Sequence, residues 1–218
     1  MATITDFGSL QTAVVEYLAR EGDTTLVARV PTFIQLFEAK MNRDLLVPQM
    51  EKRVTATVDI NSAEPEFITL PTDFQTMRTV RLNGVPGKPR LQFMTPPQID
   101  DYRYRTDNVT GQPVYLSIFG DELELAPTPN KGYSLEMIYR ANIAPLSDSN
   151  TTNWLLLKAP DLYLYGTLME SAPYIKEDER IGTWGAGYSM ALDGLNALGA
   201  RQSNDSGPTT VSLPGVTP

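Results

Sequence analysis

Apolar residues recur every three to four positions at both ends of this chain and every second position between them, and that change of period constrains the fold more than any other feature. Near the start, Leu10, Ala13, Val14, Tyr17 and Leu18 share one helical face behind Asp6 or Thr5, either of which can cap the opening turn. Gly22-Asp23 breaks the pattern. It resumes behind Pro31, a residue tolerated in a first turn, and runs to about Leu45, with Ile34, Phe37, Met41 and Leu45 on one face and Glu38, Lys40 and Arg43 off it. Toward the other end, Pro160 opens a third helix with the stripe Leu162, Tyr165, Leu168, Met169 and Ala172, expected to end near Pro173. The run Lys176-Glu177-Asp178-Glu179 places acidic charge at the start of a fourth. There Ile181, Trp184, Tyr188, Ala191, Leu195 and Leu198 alternate by three and four, almost a heptad seam.

From about Lys52 to Ile143 the period is two. Val54, Ala56, Val58 and Ile60 alternate with polar residues as a half-buried strand; Phe67 to Leu70 and Met77 to Leu82 are two more, the latter closed by the turn-forming pair Asn83-Gly84. A helical turn capped by Thr95 follows, then a hairpin from Val114 to Ala126 about Gly120-Asp121, then a strand through Tyr133, Leu135, Met137 and Tyr139. Helices, strands, helices: the expected architecture is α+β, a four-helix bundle formed by the N- and C-terminal helices with an inserted antiparallel β-sandwich or barrel. The expected divisions are 1–46 and 147–201 for the two halves of the bundle, 47–146 for the β-domain and 202–218 for an extended C-terminal arm. QSNDSGPTTVSLPGVTP has no periodicity and too little apolar surface to fold alone.

Composition removes most chemistry. The chain has no cysteine and no histidine, so disulfides, thiolate nucleophiles, the commonest metal ligand and the commonest general base are all missing. No metal or other cofactor is expected, and neither a phosphate-cradling glycine loop nor an EF-hand loop occurs. Carboxylate pairs remain: Asp100-Asp101, Glu122 with Glu124, and Glu177 to Glu179. A glycosidase needs such a pair to face across a pocket, whereas Glu122 and Glu124 are expected on the outward face of a hairpin and Glu177 to Glu179 at a helix start; both read as solvated charge. No apolar run approaches the length of a membrane span, and MATITDFGSL lacks the basic region of a signal peptide, so a soluble protein is expected. A net charge of −8 disfavours nucleic-acid backbone binding as the main task. Tyr102 and Tyr104 beside Arg103 and Arg105 read either as a single-strand-binding cluster or as an amphipathic turn covering the sheet.

Gly182, Gly185, Gly187 and Gly194 fall inside the last helix, each at about 1 kcal/mol against alanine. Close approach of another backbone, within the bundle or from a second subunit, would offset that; the alternative is a kink or a break in the helix near Gly185-Gly187. Trp184, Gly185, Gly187 and Tyr188 are therefore the expected packing residues.

Four stretches together resemble the head-to-tail adaptor family of tailed bacteriophages: FIQLFEAKMNRDL (Phe33 to Leu45), LPTDF (Leu70 to Phe74), YLSIFGDELELAPTP (Tyr115 to Pro129) and TNWLLLKAPDLYLYGTLMESAPYIKEDERIGTW (Thr152 to Trp184). The resemblance implies a non-enzymatic virion protein, a homo-oligomeric ring by family usage dodecameric, between the portal protein and a tail or nozzle protein. Such a ring encloses DNA without sequence-specific binding, and its acidic side chains would keep the polymer from sticking. It also implies that the helical bundles make the ring, that the β-domain faces the next tail component and that the arm reaches the portal. Within Gln202 to Pro218 the portal-binding residues would be Pro208, Thr209, Thr210, Val211, Ser212, Leu213, Pro214 and Val216. Two other readings stand beside it: a ligand- or partner-binding β module with a helical oligomerisation domain, and a carboxylate-dependent virion hydrolase acting on cell-wall glycans.

Overall fold

A computed structural model describes residues 3–176 and 179–204, without the side chains of 203 and 204. The chain divides into two compact units, one made of residues 1–49 and 143–218, the other of residues 50–142.

The helical unit contains α1 (Phe7–Leu18), α2 (Thr24–Val27), α3 (Val30–Asp44), α5 (Trp154–Lys158), α6 (Pro160–Ile175) and α7 (Ile181–Asn204). Asp6 caps α1 by accepting from the Ser9 amide at 2.8 Å, and Ser9 Oγ accepts in return from the Asp6 amide at 2.9 Å. The centre is α6, which packs against α1, α3, α5 and α7, while α1 also meets α3. Its burial goes beyond one stripe: Leu162, Tyr163, Leu164, Gly166, Thr167, Leu168, Ser171 and Ala172 are all buried, as suits a helix with neighbours on several sides, while Tyr165 and Met169 are only half-buried. Pro173 does not end it. That residue falls in the last turn, where one lost amide bond matters little, and the helix runs two residues further to Ile175 and closes on left-handed Lys176, whose amide bonds to Ala172 O at 3.0 Å.

Two expectations for the helical faces need correction. Glu38 is not off the buried face of α3 but 4% exposed among the core residues. On α7 the seam Trp184, Tyr188 and Leu195 is buried, yet Leu198 is 54% exposed; a helix with 3.6 residues per turn drifts off a strict seven-residue repeat, and Gly199 takes the inward place against Val47 and Pro48. The helix also continues through Gln202, Ser203 and Asn204, residues expected in the extended arm.

The β unit contains β1 (Glu51–Thr57), β2 (Phe67–Thr69), β3 (Phe74–Asn83), β4 (Gln92–Phe93), α4 (Pro96–Arg105), β5 (Thr110–Gly111), β6 (Tyr115–Phe119), β7 (Glu122–Ala126), β8 (Thr128–Pro129) and β9 (Ser134–Ala141). Among the described residues the strands make an antiparallel sheet β1-β9-β3, a sheet β2-β7-β6-β4 and a two-stranded β5-β8 pair, with no closed barrel. The expected all-antiparallel pairing is corrected to a mixed one, because β4 runs parallel to β6 and β5 parallel to β8. The two larger sheets share one apolar core: Val80, Leu82, Leu135 and Met137 from the first meet Leu116, Leu123 and Leu125 from the second. β9 is the clearest strand, burying Leu135, Met137, Tyr139 and Ala141 in strict alternation. β1 ends at Thr57, so Ile60 lies beyond it in a turn, 41% exposed. The β6–β7 hairpin turns at Gly120, whose φ of 59° suits a residue without Cβ.

Candidate assembly surfaces

α4 lies on β6 and is tied to the sheet by Arg103. Its guanidinium lies 3.0 Å from Glu124 and 3.6 Å from Glu66, and donates to Leu125 O at 3.0 Å and Thr128 Oγ1 at 2.9 Å. Glu124 is therefore not solvated charge on an open face but 8% exposed, because α4 covers that face. Burial pushes the Glu124 carboxyl above its usual range, and the charge and hydrogen bond of Arg103 oppose the rise. Tyr102 meets Tyr115 edge-on at 5.1 Å, whereas Tyr104 is 89% exposed. The tyrosine-arginine cluster is thus mainly a cover for the sheet. Of the other carboxylate pairs, Asp101 lines a cleft with Met94, Gln98, Tyr102 and Arg105, and Glu177 lies outside the described residues.

In the helical unit a polar clasp holds the segment that follows Asn142. One turn apart on α3, Glu38 Oε1 accepts from the Leu146 amide at 2.9 Å and Asn42 Oδ1 from the Ile143 amide at 2.7 Å. The Tyr163 hydroxyl donates to Glu38 at 2.9 Å and accepts from Asn153 Nδ2 at 2.6 Å; Asn153 also bonds Ala144 O and, through Oδ1, the Leu156 amide at the start of α5. Buried backbone in an irregular segment needs such partners. Sequence reading missed this clasp, since its members lie up to 125 residues apart. Glu38 also lines an open cleft of ≈ 440 Å³ with Phe7, Gln35, Pro145 and Asp148.

Burial is the main influence on Glu38, raising its pKa above 4.5, with the Leu146 and Tyr163 hydrogen bonds pulling the other way. A carboxyl raised in the folded state favours folding below its unfolded value, and that contribution is lost as pH climbs through the folded value. Glu38→Gln keeps an acceptor for both donors and removes the titration. Melting curves of the two proteins compared from pH 4.5 upward are expected to show wild type losing ground to the variant as pH rises; a constant gap would mean that Glu38 titrates as it does unfolded.

The structure places the expected packing residues as follows. Trp184 and Tyr188 are 5% and 7% exposed on α7, the helix that packs on α6. A Cβ on Gly187 would lie 2.9 Å from the Tyr165 ring, so this glycine permits a close approach to that side chain. Gly185 has open space around it, as do Gly182 and Gly194. Tyr188 stands edge-on to Phe37 at 6.5 Å and under Lys40 Nζ at 4.8 Å. Its hydroxyl is buried without a hydrogen-bond partner among the described residues. Pro208, Thr209, Thr210, Val211, Ser212, Leu213, Pro214 and Val216 lie outside the described residues.

The chain belongs to the SU10 adaptor protein family, whose model matches residues 5–212. All four stretches that resemble phage head-to-tail adaptors fall inside that span. A search of curated proteins finds no match. The chain is accordingly a bacteriophage adaptor, a structural virion protein that meets other virion components. None of its described helices is long and apolar enough to cross a membrane.

Proposed function

We propose that this adaptor assembles as a dodecameric ring beneath the portal and links it to the tail or nozzle around the DNA channel. The observation that carries the reading is the family match over residues 5–212. Helix packing is consistent with it: α1, α3 and α7 gather on α6 as a four-helix bundle would, leaving exposed on α7 a face with Met190 and Leu198 for a neighbouring subunit. In this reading the β unit meets the tail component and the segment after Asn204 reaches the portal. Its Val211, Leu213 and Val216 make contacts that are weak singly and strong when repeated around a ring.

Deleting residues 205–218 is the direct test of the portal contact. Mixed with portal rings and sedimented, full-length protein is expected in the pellet as a ring of fixed stoichiometry, and the truncated chain, with unchanged circular dichroism, in the supernatant. Equal co-sedimentation would move the contact to the helical unit. Failure of the full-length chain to bind at all would remove the portal from the account.

A further inference from the structure

The outward face of the β1-β9-β3 sheet carries a charge pattern opposite to that of the chain as a whole. Because Leu135, Met137, Tyr139 and Ala141 of β9 point into the core, Glu136, Ile138 and Arg140 point away from it. Their cross-strand neighbours are Glu51, Arg53 and Thr55 on β1 and Thr76, Thr79 and Arg81 on β3. Arg81 is bridged in turn to Arg90, and Arg78 reaches Glu51 at 3.0 Å. Five arginines thus share the face with two glutamates. Arg53 pairs with Glu136 at 3.4 Å and Arg78 with Glu51, which leaves Arg81, Arg90 and Arg140 without an ion pair among the described residues.

Two arginines placed opposite each other on paired strands repel, a cost that an anion between them would relieve. Two further polar groups in this sheet lack partners: Arg140 Nε and Thr79 Oγ1 are buried without a hydrogen bond among the described residues. The face has hydroxyls and guanidinium groups but no aromatic ring for a base to stack on, and guanidinium forks suit carboxylates.

The chain itself is a strongly acidic partner. Residues 50–142 hold ten of the eighteen Lys and Arg and twelve of the twenty-six Asp and Glu, leaving eight and fourteen in the helical unit. Glu16 and Asp161 of that unit are exposed on the rim of one cleft of ≈ 250 Å³, floored by Ala13, Leu164 and Tyr165, and no cation pairs with either among the described residues. A duplex would meet the repulsion of a chain with net charge −8, whereas a second copy offers carboxylates beside an apolar floor.

We infer that the arginine face around Arg81, Arg90 and Arg140 docks onto the acidic helical unit of a second copy, at the cleft bearing Glu16 and Asp161. The contact joins unlike surfaces, so repetition closes a ring or runs on, as the geometry dictates. It rests on the ring reading and supplies that reading with a charge-based contact.

The test is association of the full chain, alone and on portal rings, followed by mass photometry across a salt series. Wild type is expected to associate at low salt and to weaken as salt screens the contact. Arg90→Glu with Arg140→Gln is expected to weaken association roughly 100-fold at unchanged melting temperature, and adding Glu16→Arg with Asp161→Arg to restore much of it. Should the arginine variant fail to fold, the Glu16 and Asp161 reversal alone is expected to weaken association as far. Exposed Lys158, reversed to Glu, serves as the control and is expected to change nothing. Wild-type association with no effect of either reversal would overturn the docking and leave the ring reading intact. A wild type that is monomeric both alone and on portal rings would overturn both. Retention of a 30-base-pair duplex that the arginine variant abolishes, with association unchanged, would assign the face to nucleic acid instead.

Discussion

Gly166→Ala is expected to lower the stability of the helical unit by about 1–2 kcal/mol, against the usual gain from replacing a helical glycine. An ideal Cβ at this position would lie 2.1 Å from Cε2 and 2.2 Å from Cδ2 of Phe37, distances at which one of the two must move. Phe37 has nowhere to go: it is fully buried, edge-on to Tyr163 at 5.0 Å and to Tyr188 at 6.5 Å. Alanine favours a helix interior by about 1 kcal/mol over glycine, and overpacking a tight core typically costs about 1–3 kcal/mol and sometimes more. The clash outweighs the propensity because the glycine lets α3 and α6 approach at this point. Urea denaturation followed by circular dichroism reads the result as a lower midpoint. Phe37→Leu in the Gly166→Ala background is expected to recover part of the loss, and a single variant with an unshifted midpoint would show that the two helices can separate at no cost.

Trp184→Ala is expected to cost about 3–5 kcal/mol, the usual range for emptying a large aromatic site in a core. The ring is 5% exposed on α7, and α7 packs on α6. Glycines at 182 and 185 give that part of α7 little helical preference of its own, so its docking depends on what the indole buries. In the ring reading the same variant loses assembly as well, because a loosened α7 no longer presents a fixed surface. Hydrogen exchange distinguishes local from global loss: amides of α7 are expected to exchange faster while those of β9 keep their protection. Uniform protection in both would place Trp184 outside the stabilising core.

Helix positions were legible because the 3.6-residue period needs only local residues, as with Ile34, Phe37 and Met41 on α3. What stayed hidden depends on distant partners. Glu38 reads as a residue off the buried face until the Leu146 amide and the Tyr163 hydroxyl bond to it. Glu124 follows the outward phase of its hairpin, and only α4, laid across that face with Arg103, turns outward into buried. Gly166 carries no signal in sequence, since one glycine in a helix of small and aromatic residues has no period. The glycines that drew notice on α7 prove unequal, with Gly187 against a ring and Gly185 in open space. The family resemblance was legible for another reason: it rests on the order of several short stretches, and order survives where single contacts cannot be inferred.

The division of the helical core between the two ends of the chain has a temporal side. Glu38 and Tyr163 are 125 residues apart, and the whole β unit is synthesised between them. At roughly 5–20 residues per second, translation separates α3 from α6 by on the order of ten seconds. During that interval Phe33, Phe37 and Met41 have left the ribosome and the helix that covers them has not been made. Residues 50–142 are contiguous and have every strand to hand once β9 emerges. The order of synthesis therefore completes the inserted unit first and the unit that contains the chain's own beginning last.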